Sequence, residues 1–243
     1  MKLAILTTGD PGKSLGGACT RDIINIEKLL IEQGFNSANI FILTENLPVV
    51  DNSTTQSIIL LPTKENINKV FATIAEKTAQ EENSFVFFSY SGHGFNNVGN
   101  IQGEFNEAIL LEDGLFSENS IYSDFVCKLA PSCTLFALMD ACHSEDLLEL
   151  PFLWDNNTKT WNLVENNRET PAKCRAYSLS GCTDGQCCQQ AVGECGFGGS
   201  LTVGFLDLGL FHKITEPTEM MTEIIEFLSP LDQVPCLCSL RID

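Results

Sequence analysis

Positive charge is scarce in this sequence: 14 Lys and Arg stand against 32 Asp and Glu, a formal net charge of −18. With so few cations and no basic stripe to neutralise phosphates, a nucleic-acid partner is not expected. Long apolar runs are missing as well. Nothing reaches the roughly 18 consecutive apolar residues of a membrane span, so no membrane partner is expected. The opening Met1-Lys2-Leu3-Ala4-Ile5-Leu6 meets Gly9-Asp10-Pro11-Gly12 too soon to form a secretory signal. These absences predict a cytoplasmic protein. Cys-x-x-Cys is absent even though there are 11 cysteines. An odd number without a secretory signal reads as free thiols in a reducing compartment, not as a disulfide framework. Cys182, Cys187, Cys188 and Cys195, with Cys236 and Cys238 further on, fit no zinc spacing, and the vicinal pair Cys187-Cys188 is not a redox motif. Internal repeats and low-complexity tracts are also absent.

What is present is enough apolar sequence for one sizeable core, 44% of 243 residues. Its periodicities alternate. Leu3 to Leu6 reads as a strand, Asp22 to Gly34 as a helix with Ile23, Ile26 and Leu30 on one face, and Asn39 to Leu43 as a strand. Pro62 to Asn66 opens a helix carrying Ile67, Val70, Phe71 and Ile74, which leads to a strand ending at Tyr90. Phe105 to Asp113 reads as a short strand or hairpin, Ile121 to Leu129 as a helix, and Thr134 to Met139 and Arg175 to Ser180 as strands. After a Gly196-Phe197-Gly198-Gly199 turn come two more helical patterns, through Leu201, Phe205 and Leu208 and through Met220 to Leu228. A last strand follows near Pro235 to Ile242. This alternation predicts an α/β fold with a mostly parallel central sheet and helices on both faces. Leu150 to Thr170, polar and Asn-rich, reads as a long loop.

Two stretches carry chemistry. Ser91-Gly92-His93-Gly94 follows the apolar run Phe85 to Phe88, and Asp140-Ala141-Cys142-His143-Ser144 follows Cys133 to Met139. Strand ends are where ligands collect in open α/β sheets, and a His on one beside a Cys on another is a base next to a nucleophile. Taken alone, His93 reads as a surface side chain and Cys142 as an inert thiol. The pair is more specific: a His followed about 50 residues later by an Ala-Cys core is the caspase arrangement.

On these residues the chain resembles a metacaspase, of the caspase-like superfamily of cysteine peptidases. Further similarity lies in Gly17-Ala18-Cys19-Thr20-Arg21-Asp22, in Leu148-Glu149-Leu150-Pro151-Phe152, in Ser180-Gly181-Cys182-Thr183-Asp184-Gly185-Gln186, in Gly199-Ser200-Leu201-Thr202 and in Gln233-Val234-Pro235-Cys236-Leu237. The resemblance implies a caspase-like fold in a single peptidase domain over 1–243. A large-subunit-like part spans about 1–150, a polar loop about 151–173 and a small-subunit-like part about 174–243. It implies Cys142 as nucleophile and His93 as general acid/base. The backbone N–H groups of Gly94 and Cys142, beside those side chains, would be oxyanion donors. No third orienting residue is evident in the sequence. Cys19, Asp22, Ser91 and Asp140 match the family's pocket for the residue before the cleaved bond, implying protein or peptide substrates cut after Arg or Lys. Read without the family, Asp22 merely sits near the start of a helix.

Many metacaspases bind an activating Ca²⁺ through four Asp residues. Here Asn106, Glu118, Asn119 and Glu149 stand at those places, so two carboxylates become amides and calcium activation is expected to be weakened or absent. No other cofactor is implied. With a first strand at residue 3 and no Pro/Gln-rich leader, the chain resembles the compact, monomeric form of the family, with Lys159, Arg168, Lys173 and Arg175 as candidate autocleavage positions. The alternative is a catalytically impaired homologue acting as a regulatory or aggregate-binding module. Retention of the His93–Cys142 pair with four pocket residues argues against it.

Overall fold

The computed structural model describes residues 1–45, 56–96, 107–145, 147–164, 171–183 and 186–242. In chain order its elements are β1 (Lys2–Gly9), α1 (Ala18–Glu32), β2 (Ile40–Leu43), β3 (Ile58–Leu60), α2 (Lys64–Gln80), β4 (Phe85–Gly92) and β5 (Gly94–Phe95). Next come β6 (Ala108–Leu111), β7 (Gly114–Ser117), α3 (Glu118–Asp124), β8 (Thr134–Ala141), β9 (Phe152–Asp155) and β10 (Thr160–Leu163). The chain continues with β11 (Arg175–Ser180), β12 (Gln190–Gly193), β13 (Gly196–Gly199), α4 (Ser200–Asp207), α5 (Met221–Leu228) and β14 (Cys236–Ser239).

Among the described residues nine strands form one sheet in the order β10-β9-β14-β11-β8-β4-β1-β2-β3. The six from β11 to β3 are mutually parallel, and β14, β9 and β10 extend the sheet antiparallel. The central strands are buried on both faces, which is why they read as continuous apolar runs and not as alternation. Their side chains still sort by period two. Leu3 and Ile5 join Phe71, Phe88 and Phe125 under α2 and α3, whereas Ala4 and Leu6 join Ile23, Leu30, Phe205 and Ile224 under α1, α4 and α5. Phe71 and Phe125 stack at 4.2 Å between centroids, pinning α2 to the segment that delivers β8.

The predicted fold class holds, with two corrections. The polar stretch predicted as a loop contains a hairpin, β9 with β10, in which Trp154 and Trp161 are cross-strand partners. The Asn-rich residues are its turn: Asp155 Oδ1 accepts from Asn157 N at 2.8 Å, closing the chain on itself between two four-residue strands. Strands that short show too few alternations to register as a period. Likewise Gly196–Gly199 is not a turn but β13, paired antiparallel with β12. The helix predicted from Asp22 starts at Ala18, which puts Cys19 and Asp22 on it together. Asn106 and Arg168 lie outside the described residues. No described helix is long and apolar enough to cross a membrane.

Candidate active site

β4 and β8 are parallel neighbours, with Ser91 opposite Asp140 and Gly92 opposite Ala141. His93 and Cys142 are the next residues on each strand, so the register brings the two sequence motifs side by side at the C-terminal end of the sheet. Both line one small cavity with Cys19, Ser91 and Asp140. A Cβ on Gly94 would collide with the Cys142 carbonyl oxygen, so only glycine lets the chain after His93 lie against the backbone of Cys142. The backbone of His93 is held on both sides: its N–H donates to Gly9 O at 3.0 Å, and its carbonyl accepts from Leu110 N at 3.0 Å and Tyr90 Oη at 2.8 Å.

The imidazole has partners that the sequence did not reveal. Asp10, buried at the end of β1, accepts from Ser14 N, Ser14 Oγ and Leu15 N at 2.8, 2.9 and 2.9 Å. Ser14 Oγ also lies 2.8 Å from His93 Nε2, and Asp10 Oδ1 lies 3.4 Å from it. A carboxylate only accepts, so the single Ser14 hydroxyl proton goes to Asp10 and a lone pair faces the ring. That assigns the proton of a neutral His93 to Nε2 and leaves Nδ1 unprotonated, able to take a proton on the other side of the ring.

Cys142 is partly buried, and burial, the largest cause, together with neighbouring Cys187 pushes its thiol up to about 11 against a backbone N–H of Cys188 that favours the thiolate. It is therefore a thiol at neutral pH and needs a base to become a nucleophile. Cys19, at 3% exposure, is pushed by burial to about 12 and is the poorer nucleophile of the two. Cys188, which lines the same cavity, donates from Sγ to Cys182 Sγ at 3.1 Å, and that contact, first among its causes, draws the Cys182 thiol down.

Two carboxylates are sealed at this end of the sheet, with Asp22 at 2% and Asp140 at 4% exposure. Asp22 accepts from Ser91 Oγ at 2.6 Å and from Gly199 N at 3.0 Å; Asp140 accepts from Thr202 N at 2.8 Å. Gly199 ties the two together, since a Cβ there would strike Asp140 Oδ2. Burial raises Asp140 to about 6, and burial plus the Asp140 charge raises Asp22 well above the usual carboxylate range. Such a pair resists double ionisation until a cation arrives. All four predicted pocket residues thus meet, Cys19 and Ser91 at the cavity with Asp140, and Asp22 behind Ser91.

The remaining motif residues hold this arrangement. Ser180 Oγ donates to Ser144 O at 2.6 Å, fixing the turn after Cys142. Gln233 accepts from Ser200 Oγ and Gln189 N at 2.6 and 2.8 Å and donates to Gly181 O at 2.9 Å. Of the calcium positions, Glu118 and Asn119 lie in the first turn of α3, and Glu149 is buried ahead of β9. Among the described residues no three His, Cys, Asp or Glu come together in a group able to hold a metal ion.

The sequence model of the family described as "Metacaspase, peptidase C14 domain" matches residues 7–151. A Metacaspase-1 of Mycosarcoma maydis is 27% identical over 157 residues, 61% of this chain and 36% of the relative. A Metacaspase-1 of Yarrowia lipolytica is 31% identical over 144 residues, 56% of this chain and 29% of the relative. The chain thus spans about a third of the length of these curated relatives. Among solved structures, a protein from Geobacter sulfurreducens superimposes with TM-score 0.64 at 18% identity, covering 100% of this chain and 94% of that one. Caspase-1 from Spodoptera frugiperda gives TM-score 0.59 at 15% identity, covering 99% and 88%. The last two similarities concern the fold.

Proposed function

The chain belongs to the metacaspase family of peptidase C14, and from that premise we propose that it is a cysteine endopeptidase that cleaves after Arg or Lys. The observation that carries the reading is the buried pair Asp22 and Asp140, with Asp140 lining the cavity it shares with Cys142 and Asp22 behind Ser91. Two buried carboxylates raise each other's cost of ionisation, and a guanidinium or ammonium between them relieves it. Arg gains more than Lys because its planar fork can pair bidentately.

The chemistry follows from the assigned proton positions. When a substrate carbonyl covers the cavity, His93 Nδ1 takes the Cys142 thiol proton and Sγ attacks the carbonyl carbon. The carbonyl electron pair moves to oxygen, where the N–H groups of Gly94 and Cys142 are the donors we assign to the oxyanion. Collapse expels the amine, which leaves with the proton from His93. Water, losing a proton to His93, then attacks the thioester; the acid is released and the thiol restored. Ser14 and Asp10 hold the ring and favour the imidazolium formed between these steps.

Substrates on this reading are proteins or peptides, and the protein works as a cytoplasmic monomer. A panel of fluorogenic peptides differing only in the residue before the cleaved bond tests the specificity. Arg and then Lys peptides should turn over; turnover of Asp peptides alone would overturn the pocket assignment.

A further inference from the structure

Peptide hydrolysis needs one sulfur, and this end of the sheet holds several. Cys188 lines the same cavity as Cys142, and Cys187 is hydrogen-bonded to the Cys142 thiol. Cys182 lies behind them, fully buried, with its Sγ 3.1 Å from Cys188 Sγ. Cys182 follows closely on the end of β11, the strand beside β8, and Cys188 stands just ahead of β12. Between them Gln186 N donates to Thr183 O at 2.9 Å, which turns the chain back on itself. A Cβ on Gly181 would come within 2.8 Å of Cys188 Sγ, so glycine at that position gives the sulfur its place.

The two sulfurs also converge on the nucleophile's own backbone. Ala141 O lies 2.9 Å from Cys188 Sγ and 3.4 Å from Cys182 Sγ, and it belongs to the peptide unit that carries the Cys142 N–H. One Cys188 proton thus faces two acceptors, Ala141 O and Cys182 Sγ. The sulfur contact lowers the Cys182 thiol and raises that of Cys188, so the pair gives up a first proton and shares the second.

We propose that Cys182 and Cys188 are an oxidation site, at which a hydroperoxide entering the Cys142 cavity converts the two thiols to a disulfide and switches the peptidase off. The cavity, about 50 Å³, has room for hydrogen peroxide, and Cys188 is the member of the pair that lines it. With one proton lost to solvent, moving the other onto Cys182 Sγ puts the negative charge on Cys188 Sγ. That sulfur attacks a peroxide oxygen, the O–O bond breaks, and the departing hydroxide takes up a proton as water. Cys182 Sγ then displaces the hydroxyl of the sulfenic acid, and its proton leaves with that hydroxyl as a second water. Two electrons pass from the sulfurs to the peroxide. Forming the bond draws the sulfurs together by about 1 Å. It consumes both S–H donors near Ala141 O and shifts the Cys188 backbone N–H that faces the Cys142 sulfur. The loss of activity rests on the peptidase reading; the disulfide does not.

The test reduces the whole chain with dithiothreitol, removes the reductant, adds hydrogen peroxide, caps remaining thiols with N-ethylmaleimide and maps the cysteines by mass spectrometry. The expected product is 2 Da lighter before capping, with one link joining Cys182 to Cys188. The link should form equally in Cys142→Ala, where the nucleophile takes no part, and in Cys187→Ser, and should be missing from Cys188→Ser. The wild-type map decides the site even if a variant does not fold. Arg-peptide turnover should fall in step with the fraction linked, at least tenfold at full linkage, and return with dithiothreitol. No link, or Cys142 joined to Cys187 in its place, would overturn the site, and full linkage with undiminished turnover would overturn the switch. Reduced protein that cleaves no Arg peptide is a failure of the peptidase reading, and the map still decides the site.

Discussion

Asp10 Oδ1 lies 3.4 Å from His93 Nε2, with Ser14 Oγ between them at 2.9 Å from the carboxylate and 2.8 Å from the ring. Asp10 comes from the end of β1, the strand beside β4, whose Gly9 is in register with Gly92. His93 is therefore supported from a third strand end. Asp10→Asn keeps the shape and removes the charge that favours an imidazolium. The expected effect is a fall in kcat of roughly 10- to 100-fold with KM little changed, below the roughly 10²–10⁴ of general acid–base catalysis itself. Ser14→Ala should fall in the same direction by less. Steady-state kinetics on an Arg peptide separate the two constants, and equal change in both would assign Asp10 to binding instead.

The state of the thiol gives a second prediction. With Cys142 pushed up to about 11, its thiolate population rises about tenfold per pH unit across neutral and mildly alkaline pH. Alkylation of the unliganded protein by iodoacetamide, mapped to Cys142 by mass spectrometry, should keep accelerating beyond pH 9. A plateau from pH 6 upward would reveal a preformed thiolate–imidazolium pair. Cys142→Ala should abolish hydrolysis without unfolding, whereas Cys19→Ser and Cys182→Ser should retain it in part.

Asp140 links specificity to stability. Its folded-state value of about 6 exceeds the ordinary 3.8, so the folded protein holds the proton more tightly than the unfolded chain. This contribution to stability is fully present below the unfolded value and is lost as pH rises through about 6, on the order of 3 kcal/mol in all. Asp140→Asn should therefore raise the melting temperature of the unliganded protein at pH 7 and lower Arg-peptide kcat/KM by roughly a hundredfold or more. For the wild type, KM for an Arg peptide should rise as pH falls below about 6. A destabilised, fully active Asn variant would contradict both statements.

Calcium supplies a fourth. Because Asn106 and Asn119 put amides where the family's calcium site has carboxylates, and Glu118 and Glu149 move theirs about one methylene further out, chelator-treated protein should hydrolyse Arg peptides without added Ca²⁺, or need far more of it than a charged four-Asp site does. Steep saturable activation at low micromolar Ca²⁺, weakened by Glu118→Gln and Glu149→Gln, would reverse this conclusion.

Much of the architecture was legible because the strands beneath the site are long. Phe85 to Phe88 and Leu135 to Met139 are uninterrupted apolar runs that end in reactive residues, and two such ends announce themselves without any knowledge of sheet order. Asp10 was hidden for the opposite reason. It sits in an ordinary-looking Gly9-Asp10-Pro11-Gly12 turn and acquires a role only because β1 is placed next to β4, a pairing that no local pattern encodes. The Trp154–Trp161 hairpin escaped for want of length, with four residues per strand around an Asn-rich turn that resembles a loop by composition. The carboxylate pocket lies between these cases. Asp22 and Asp140 were visible as motif residues, but their burial and mutual coupling exist only once Gly199 closes over them.

The central claim joins a nucleophile to a cation pocket, and one labelling measurement tests both. A peptidyl arginine chloromethyl ketone should modify the native protein at one position, Cys142, with the rate falling sharply in Asp140→Asn. The matching aspartyl reagent should leave the protein untouched. Modification of Cys19, Cys182 or Cys187 in place of Cys142, or equal labelling by the two reagents, would contradict the account.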